Sequence, residues 1–428
     1  MKTFAVSTLG CKVNTYEAQS TIESLKNEGF IEKNFNDIVD IYIVFTCAVT
    51  NTAASKSRKK INQAIRQNKD ALIVVVGCYV QLKPTELNDN ENIDILVGSN
   101  YKSRLVEFIK KALDTRERIN SVSDVRLKDV EFENMGVTTF DKQVRAYLKI
   151  QDGCNQFCSY CIIPYARGKE RCLSVDSIVD LSKSLSENHK EIVLAGIHTG
   201  RYIYDGIDLA GLIKEILKNS KNIERIRISS IEITEISDEL IEIMKNDKRI
   251  ARHFHIPLQS GSDYILKSMN RPYDTKLFFD RIKYIKSEIE DISISTDLIV
   301  GFPGETDEYF EETVNFLKKC EFSFIHVFPF SSKEGTQASK LDKTIDNITK
   351  KERVKIIGNL SNKLYYAYKG RFIQKSLEVL IEKYEDGYSF GHSSEYIPVY
   401  IEGKYNKNEI IKVKGSNLTT DKFYAIKE

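Results

Sequence analysis

The chain has 428 residues, 41% of them hydrophobic, and a formal net charge of +2. That length allows two or three domains with sizeable cores, and the composition excludes a disordered or fibrous chain. The near-neutral charge means that any nucleic-acid site must be a local patch, and no stretch approaches the roughly 20 apolar residues of a membrane helix.

The first part alternates strand and helix. Phe4–Leu9, Ile41–Phe45, Leu72–Val76 and Ile93–Val97 are short apolar runs, and helical patterns lie at Tyr16–Asn27, Ala54–Gln67 and Tyr101–Leu113. Such alternation builds a parallel sheet. Met1–Gly10 reads as a strand leading into Cys11 rather than as a signal peptide, so a soluble cytoplasmic protein is expected. Residues 116–143 are charged and poorly periodic, and read as a linker or an edge excursion.

A second alternating series follows. Its candidate strands are Val144–Ile150, Glu191–Leu194, Arg225–Ser229, His253–Leu258, Ile292–Val300 and Phe324–Phe328, separated by helical patterns such as Val175–Glu187, Lys276–Glu288 and Glu305–Lys319. Six such units are too few for a closed eight-fold barrel. From Tyr366 onward, Ser376–Glu382, Tyr396–Glu402, Ile410–Lys414 and Phe423–Lys427 are short strands without helices between them. The expected fold class is α/β: a parallel α/β domain over 1–115, a linker over 116–143, a partial open barrel over 144–365, and a small antiparallel β-barrel over 366–428.

Cys11, Cys47 and Cys78 each fall just after one of the first three strands. Loops after successive strands of a parallel sheet converge on one edge, so three thiols distant in sequence would meet there. Zinc usually completes such a set with His or a fourth Cys, and no His occurs in the first 150 residues. Cys154, Cys158 and Cys161 stand in GCNQFCSYC, a C-x3-C-x2-C loop after the first strand of the second series. A four-iron cluster is normally held by four cysteines. Three leave one iron open, and an open position marks a catalytic metal. A zinc loop is the alternative, with Cys172 as a candidate fourth ligand, while Cys320 reads as core.

C-x3-C-x2-C at the mouth of a barrel strand resembles the signature of radical S-adenosylmethionine enzymes. With Cys11, Cys47 and Cys78 the chain resembles the radical S-adenosylmethionine methylthiotransferase family over essentially its whole length, including HIPLQSGSDYILKSMNR at 255–271 and STDLIVGFPGETDE at 295–308. GCKVNTYE at 10–17, TCAVTN at 46–51 and LAGIHTG at 194–200 are similar to the branch acting on threonylcarbamoyladenosine in tRNA. Phe45, Ala195 and the Cys172-Leu173 pair depart from that pattern.

The resemblance implies a (β/α)6 radical domain, a C-terminal TRAM domain, two [4Fe-4S] clusters and S-adenosylmethionine. The radical cluster would sit on Cys154, Cys158 and Cys161, and an auxiliary one on Cys11, Cys47 and Cys78. It also implies an electron donor such as flavodoxin or ferredoxin, and the anticodon stem-loop of tRNA as partner, with no membrane. The reaction implied places a methylthio group on C2 of adenosine 37. One cofactor methylates the sulfur to be inserted, and a second yields the radical that activates the target carbon. Tyr160 stands where the family packs the cofactor's adenine, unless its role is plain loop packing. Gly196 stands where related enzymes approach the methionine moiety. Asp297 is either a cofactor ribose contact or a satisfied buried acid.

Two basic clusters are candidate RNA contacts. Lys56, Arg58, Lys59, Lys60 and Arg66 lie on one helical pattern, and Arg145, Lys149, Arg167, Lys169 and Arg171 bracket the second cysteine loop. Tyr384, Tyr388, Tyr396, Tyr400 and Tyr405 offer stacking surfaces for unpaired bases. His253 and His255 flank one strand and read mostly as core or mouth packing. Two rival readings keep the same chemistry but act on isopentenyladenosine-37 or on a ribosomal-protein aspartate. A third, of another class, is a non-catalytic iron–sulfur or zinc RNA-binding module.

Overall fold

The computed structural model describes residues 1–125 and 130–428; residues 126–129 of the expected linker lie outside the described residues. The N-terminal unit is a six-stranded sheet in the spatial order Ile31–Glu32, Thr3–Thr8, Ile41–Thr46, Leu72–Gly77, Ile95–Val97, Ile119–Ser121. All its pairings are parallel. The two central strands are buried along their whole length, which is why they read as unbroken apolar runs. Helices Lys12–Asn27 and Leu105–Thr115 cover one face, and Asn51–Gln67 covers the other. Two of the strands, Ile31–Glu32 and Ile119–Ser121, are too short to show in the sequence. The second of them takes the expected linker back onto the sheet edge, and Val137 and Phe140 from the same segment join the core of the central unit.

The central unit carries two three-stranded parallel sheets. One has the order Arg225–Ile228, Glu191–Ala195, Ala146–Lys149, and the other His253–His255, Ser293–Val300, Phe324–Pro329. Parallel bridges Ile226–Ile250 and Ser230–His255 join them. The result is six parallel strands in chain order, with Ala146–Lys149 and Phe324–Pro329 as the two edges. Helix Asn347–Gly370 runs through the expected boundary at 365/366 and is tied to the last strand by Ile325 N donating to Ser361 Oγ at 3.0 Å.

The C-terminal unit is a closed barrel in the order Ser376–Glu385, Tyr388–Ser393, Pro398–Glu402, Phe423–Lys427, Ile410–Leu418. Closure removes unpaired edges. The strand not expected from sequence, Tyr388–Ser393, alternates buried and half-buried positions. The barrel docks on the central sheet through arginines. Arg225 donates to Glu378 O at 2.9 Å, and Arg227 to Ser393 O and Ser394 O at 3.1 Å each. Glu191 holds both guanidiniums from within the sheet, at 3.2 and 2.8 Å.

Candidate active site

Cys11, Cys47 and Cys78 lie together at the C-terminal edge of the first sheet. Cys11 precedes helix Lys12–Asn27, Cys47 follows strand Ile41–Thr46, and Cys78 opens helix Cys78–Leu82. Gly10 has φ +101°, and a Cβ there would stand 2.8 Å from Cys47 Cβ, so only glycine lets these two loops close on each other. Asn14 Nδ2 ties them by donating to Leu9 O at 2.8 Å and Thr46 O at 2.9 Å. Arg167 Nε donates to Cys78 Sγ at 3.3 Å. Burial, with the neighbouring sulfurs adding to it, pushes the Cys47 thiol up to about 11.

Cys154, Cys158 and Cys161 share one loop between Gln151–Asp152 and helix Ile163–Arg167. Gly153, at φ +75°, crosses so near Lys169 O that a Cβ would lie 1.9 Å from it. Ser159 fastens the loop to the Asp263–Ser268 region, its N–H to Met269 O at 3.0 Å and its hydroxyl to Ser268 O at 2.8 Å. Arg271 Nη1 donates to Cys158 Sγ at 3.1 Å, and His198 Nδ1 stands 3.4 Å from Cys154 Sγ. Burial, reinforced by Cys158 and Cys154, pushes Cys161 up to about 12. Cys172 turns away, accepting from Ile203 N at 3.4 Å. Cys320 is core.

Both trios fit an iron–sulfur cluster. Each gathers three thiols in one place, and in each a guanidinium donates to a sulfur, setting a positive charge beside the position a metal-bound thiolate would take. The zinc alternative calls for a fourth ligand at the second loop. Glu170 and His198 both stand beside Cys154, and His198 Nε2 is paired with Glu235 at 2.7 Å.

Behind the first trio lies a cluster of buried charges that sequence reading missed. Glu17 meets Lys102, Lys149 and Arg167 at 2.8 to 2.9 Å, and Asp152 meets Lys149 at 2.7 Å and Arg171 at 3.1 Å. Burial alone would raise the Glu17 carboxyl, but Arg167, Lys102 and Lys149 hold it well below the usual carboxylate range. This corrects the expectation for Arg167 as an RNA contact, because its side chain is 0% exposed and fully engaged. Lys149 is withdrawn for the same reason. Lys56, Arg58 and Lys59 are exposed on helix Asn51–Gln67, and Lys169 is exposed beside the second loop.

A cavity of about 870 Å³ opens where the three units meet. Its wall takes Cys11, Lys12 and Cys47 from the first, Ser229, His255, Asp297 and His326 from the second, and His392 and Tyr396 from the barrel. Asp297 Oδ2 lies 3.2 Å from His255 Nε2, and His326 completes a His–Asp–His group. His253 and His255 both reach Ser295 Oγ, at 3.0 and 2.9 Å. Tyr396 is a cavity wall rather than an outer stacking surface, lying between His253 and His392 with centroids 5.0 and 4.9 Å away. Ser229 links the cavity toward the second trio by a 2.8 Å hydroxyl contact with Thr199, next to His198. Gly196 follows strand Glu191–Ala195, where a Cβ would press on Gln151 and Thr199 at 3.1 Å. Tyr160 packs on Ile265, Met269, Phe302 and Phe330, with its hydroxyl 3.5 Å from Arg271.

Residues 148–317 match the radical SAM superfamily, and residues 3–98 match an uncharacterized protein family, UPF0004. A Bacillus subtilis protein named threonylcarbamoyladenosine tRNA methylthiotransferase MtaB is 40% identical over 97% of this chain and 94% of its own length. The Aquifex aeolicus protein of that name is 38% identical over 88% and 92%. A Thermodesulfovibrio yellowstonii protein named tRNA-2-methylthio-N(6)-dimethylallyladenosine synthase is 34% identical over 96% and 95%. Among solved structures, the radical S-adenosylmethionine methyltransferase TsrM from Kitasatospora setae superposes with a TM-score of 0.56 at 13% identity, covering 77% of this chain and 75% of that one. That likeness concerns the fold alone. The fold and the C-x3-C-x2-C loop define a radical S-adenosylmethionine enzyme. More narrowly, the chain belongs to the radical S-adenosylmethionine methylthiotransferase family.

Proposed function

We propose that this protein is a tRNA methylthiotransferase that replaces the C2 hydrogen of N6-threonylcarbamoyladenosine at position 37 with a methylthio group. The observation that carries the reading is the cavity itself. One wall holds two thiols of the first trio, Ser229 on another contacts Thr199, whose neighbour His198 stands beside Cys154, and the volume suits a nucleoside with its substituent.

Cys154, Cys158 and Cys161 would hold one [4Fe-4S] cluster, and Cys11, Cys47 and Cys78 a second. When bound, the first of these with S-adenosylmethionine supplies one-electron cleavage of the sulfonium, and the second supplies the site of the sulfur to be inserted. The chain's own residues position and shield. Arg271 and His198 fix the sulfurs of Cys158 and Cys154. Tyr160, Gly196 and Asp297 are the candidate cofactor contacts, in an apolar niche, at a strand end and on the cavity wall respectively. Arg167 fixes Cys78. Lys56, Arg58, Lys59 and Lys169 are the candidate phosphate contacts for the anticodon stem-loop. A flavodoxin- or ferredoxin-type donor would supply electrons. No helix among the described residues is long and apolar enough to cross a membrane, and the proposed place of action is the cytoplasm.

The test is nucleoside mass spectrometry before and after adding anaerobically reconstituted protein to tRNA carrying threonylcarbamoyladenosine. The expected result is the mass gain of a methylthio group replacing one hydrogen on that nucleoside, and none on isopentenyladenosine. Modification of isopentenyladenosine alone, or of neither, overturns the reading.

A further inference from the structure

Positive charge concentrates on the cavity wall beside Cys11, where Lys12, Arg145 and Arg227 all face inward. Two of the three are already matched. Arg145 pairs with Glu382 at 3.3 Å and Arg227 with Glu191 at 2.8 Å, and both guanidiniums lie against the Tyr396 ring. Lys12 is different. Among the described residues its ammonium has no hydrogen-bond partner and no carboxylate at ion-pair distance. Its side chain is hemmed in by protein yet open to the water of the cavity. Neither acidic residue of the wall, Asp297 or Glu395, lies at ion-pair distance from it. Asp297 is held by His255 at 3.2 Å, and burial pushes the Glu395 carboxyl up, toward its neutral form.

We propose that Lys12 marks a carboxylate-binding subsite, its ammonium taking the carboxylate of an amino-acid substituent on the substrate base. The proposal rests on the function proposed above and adds the residue that reads the substituent. C2 and C6 of a purine flank N1 on one edge. A base whose C2 faces the Cys11 loop therefore carries its N6 substituent along the same side, and Lys12 is the next residue after Cys11. An apolar substituent would leave this ammonium confined and unpaired, and a site with an unmet charged group discriminates strongly against the ligand that lacks the partner.

The test is equilibrium binding of three anticodon stem-loops to the full-length, iron-loaded protein. They differ only at base 37: threonylcarbamoyladenosine, its carboxamide analogue, and adenosine. Wild type should bind the carboxylate roughly ten- to a hundred-fold tighter than the carboxamide, the span of a charge-assisted hydrogen bond. Lys12→Gln should bring that ratio near one, and Lys12→Arg should restore part of it. A Lys12→Gln protein that keeps the wild-type ratio overturns the proposal. So does a wild-type ratio of one, a comparison that needs no variant and stands even if substitution impairs folding. In that second case the proposed function survives if threonylcarbamoyladenosine is still methylthiolated, and falls separately if it is not.

Discussion

Arg167 donates to Glu17 at 2.9 Å, and neither side chain has any exposed surface. The pair joins two units: Glu17 sits on the first helix of the N-terminal sheet, and Arg167 ends the short helix that follows Cys161. The same guanidinium reaches Cys78 Sγ and Asn14 Oδ1, so one residue touches the first thiol site while being placed by the loop of the second. Replacing Glu17 with Gln removes a charge from among three buried cations. Breaking a buried pair costs about 3–5 kcal/mol, and the loss should appear as a lowered urea midpoint. Arg167→Lys retains a cation but not the fork that reaches Glu17, Asn14 and Cys78 together. It should lose less stability than Glu17→Gln while lowering iron retention at the first trio. Equal iron content in wild type and Arg167→Lys would argue that the Cys78 contact is incidental.

The thiol trios were legible because spacing and strand ends carry them: a C-x3-C-x2-C loop is local, and parallel strands bring Cys11, Cys47 and Cys78 to one edge. The burial of Arg167 was not legible. Its sequence neighbours Lys169 and Arg171 make it look like part of a surface patch, and what draws it inward is Glu17, 150 residues away. Tyr396 is hard to place for a related reason. Nothing near it in the chain announces that His253 stacks on it from another unit. Strand Tyr388–Ser393 escaped because a Gly and three polar residues weaken its apolar alternation, although its burial alternates as a strand's should. The barrel, closed by pairing, holds it regardless of propensity.

The two trios should load metal independently. Eight irons per chain is the expectation for two four-iron clusters, so Cys11→Ala and Cys154→Ala should each retain about four. Their chemistry should differ. Cys154→Ala removes the site expected to engage S-adenosylmethionine, and deoxyadenosine release should vanish. Cys11→Ala should still release deoxyadenosine from the added cofactor while no longer methylthiolating tRNA. Release unchanged in both variants would sink the division of labour between the two sites.

The Glu191 clamp between sheet and barrel predicts an acid response. Burial alone would raise this carboxyl, but Arg227 and Arg225 bring it down from 4.5 to about 2. Burial, with Arg227 alongside it, pushes Arg225 down as well, after the opposing pull of Glu191, yet a guanidinium remains charged throughout this range. A depressed carboxyl contributes stability that is complete above its unfolded value, near 4.5, and is lost as pH falls toward 2. At about 1.4 kcal/mol per pH unit, the contribution is on the order of 3 kcal/mol. Urea midpoints measured from about pH 6 to about pH 3 should therefore fall less steeply for Glu191→Gln, which starts from a lower stability because both arginines lose their counter-charge. Parallel slopes for the two proteins would show that the clamp does not titrate as its surroundings require.

Exposed charge on helix Asn51–Gln67 predicts a salt effect distinct from any effect of Lys12. Lys56 and Lys59 are open to solvent, and Arg58 is steadied by Tyr79, whose hydroxyl accepts from it at 2.9 Å. Phosphate binding releases counter-ions, so each phosphate engaged adds to the slope of log affinity against log salt. The double variant Lys56→Gln, Lys59→Gln should weaken binding of all stem-loops alike, whatever the substituent at base 37, and reduce that slope by up to about one for each phosphate no longer neutralised. Lys12→Gln should do the reverse, changing discrimination at base 37 with little change in slope, because its proposed partner is one carboxylate inside the cavity and not the phosphate backbone. If the double variant leaves the slope unchanged, this helix does not carry RNA and the phosphate path must run elsewhere. The exposed Lys169, beside the second loop, would then be the next position to neutralise.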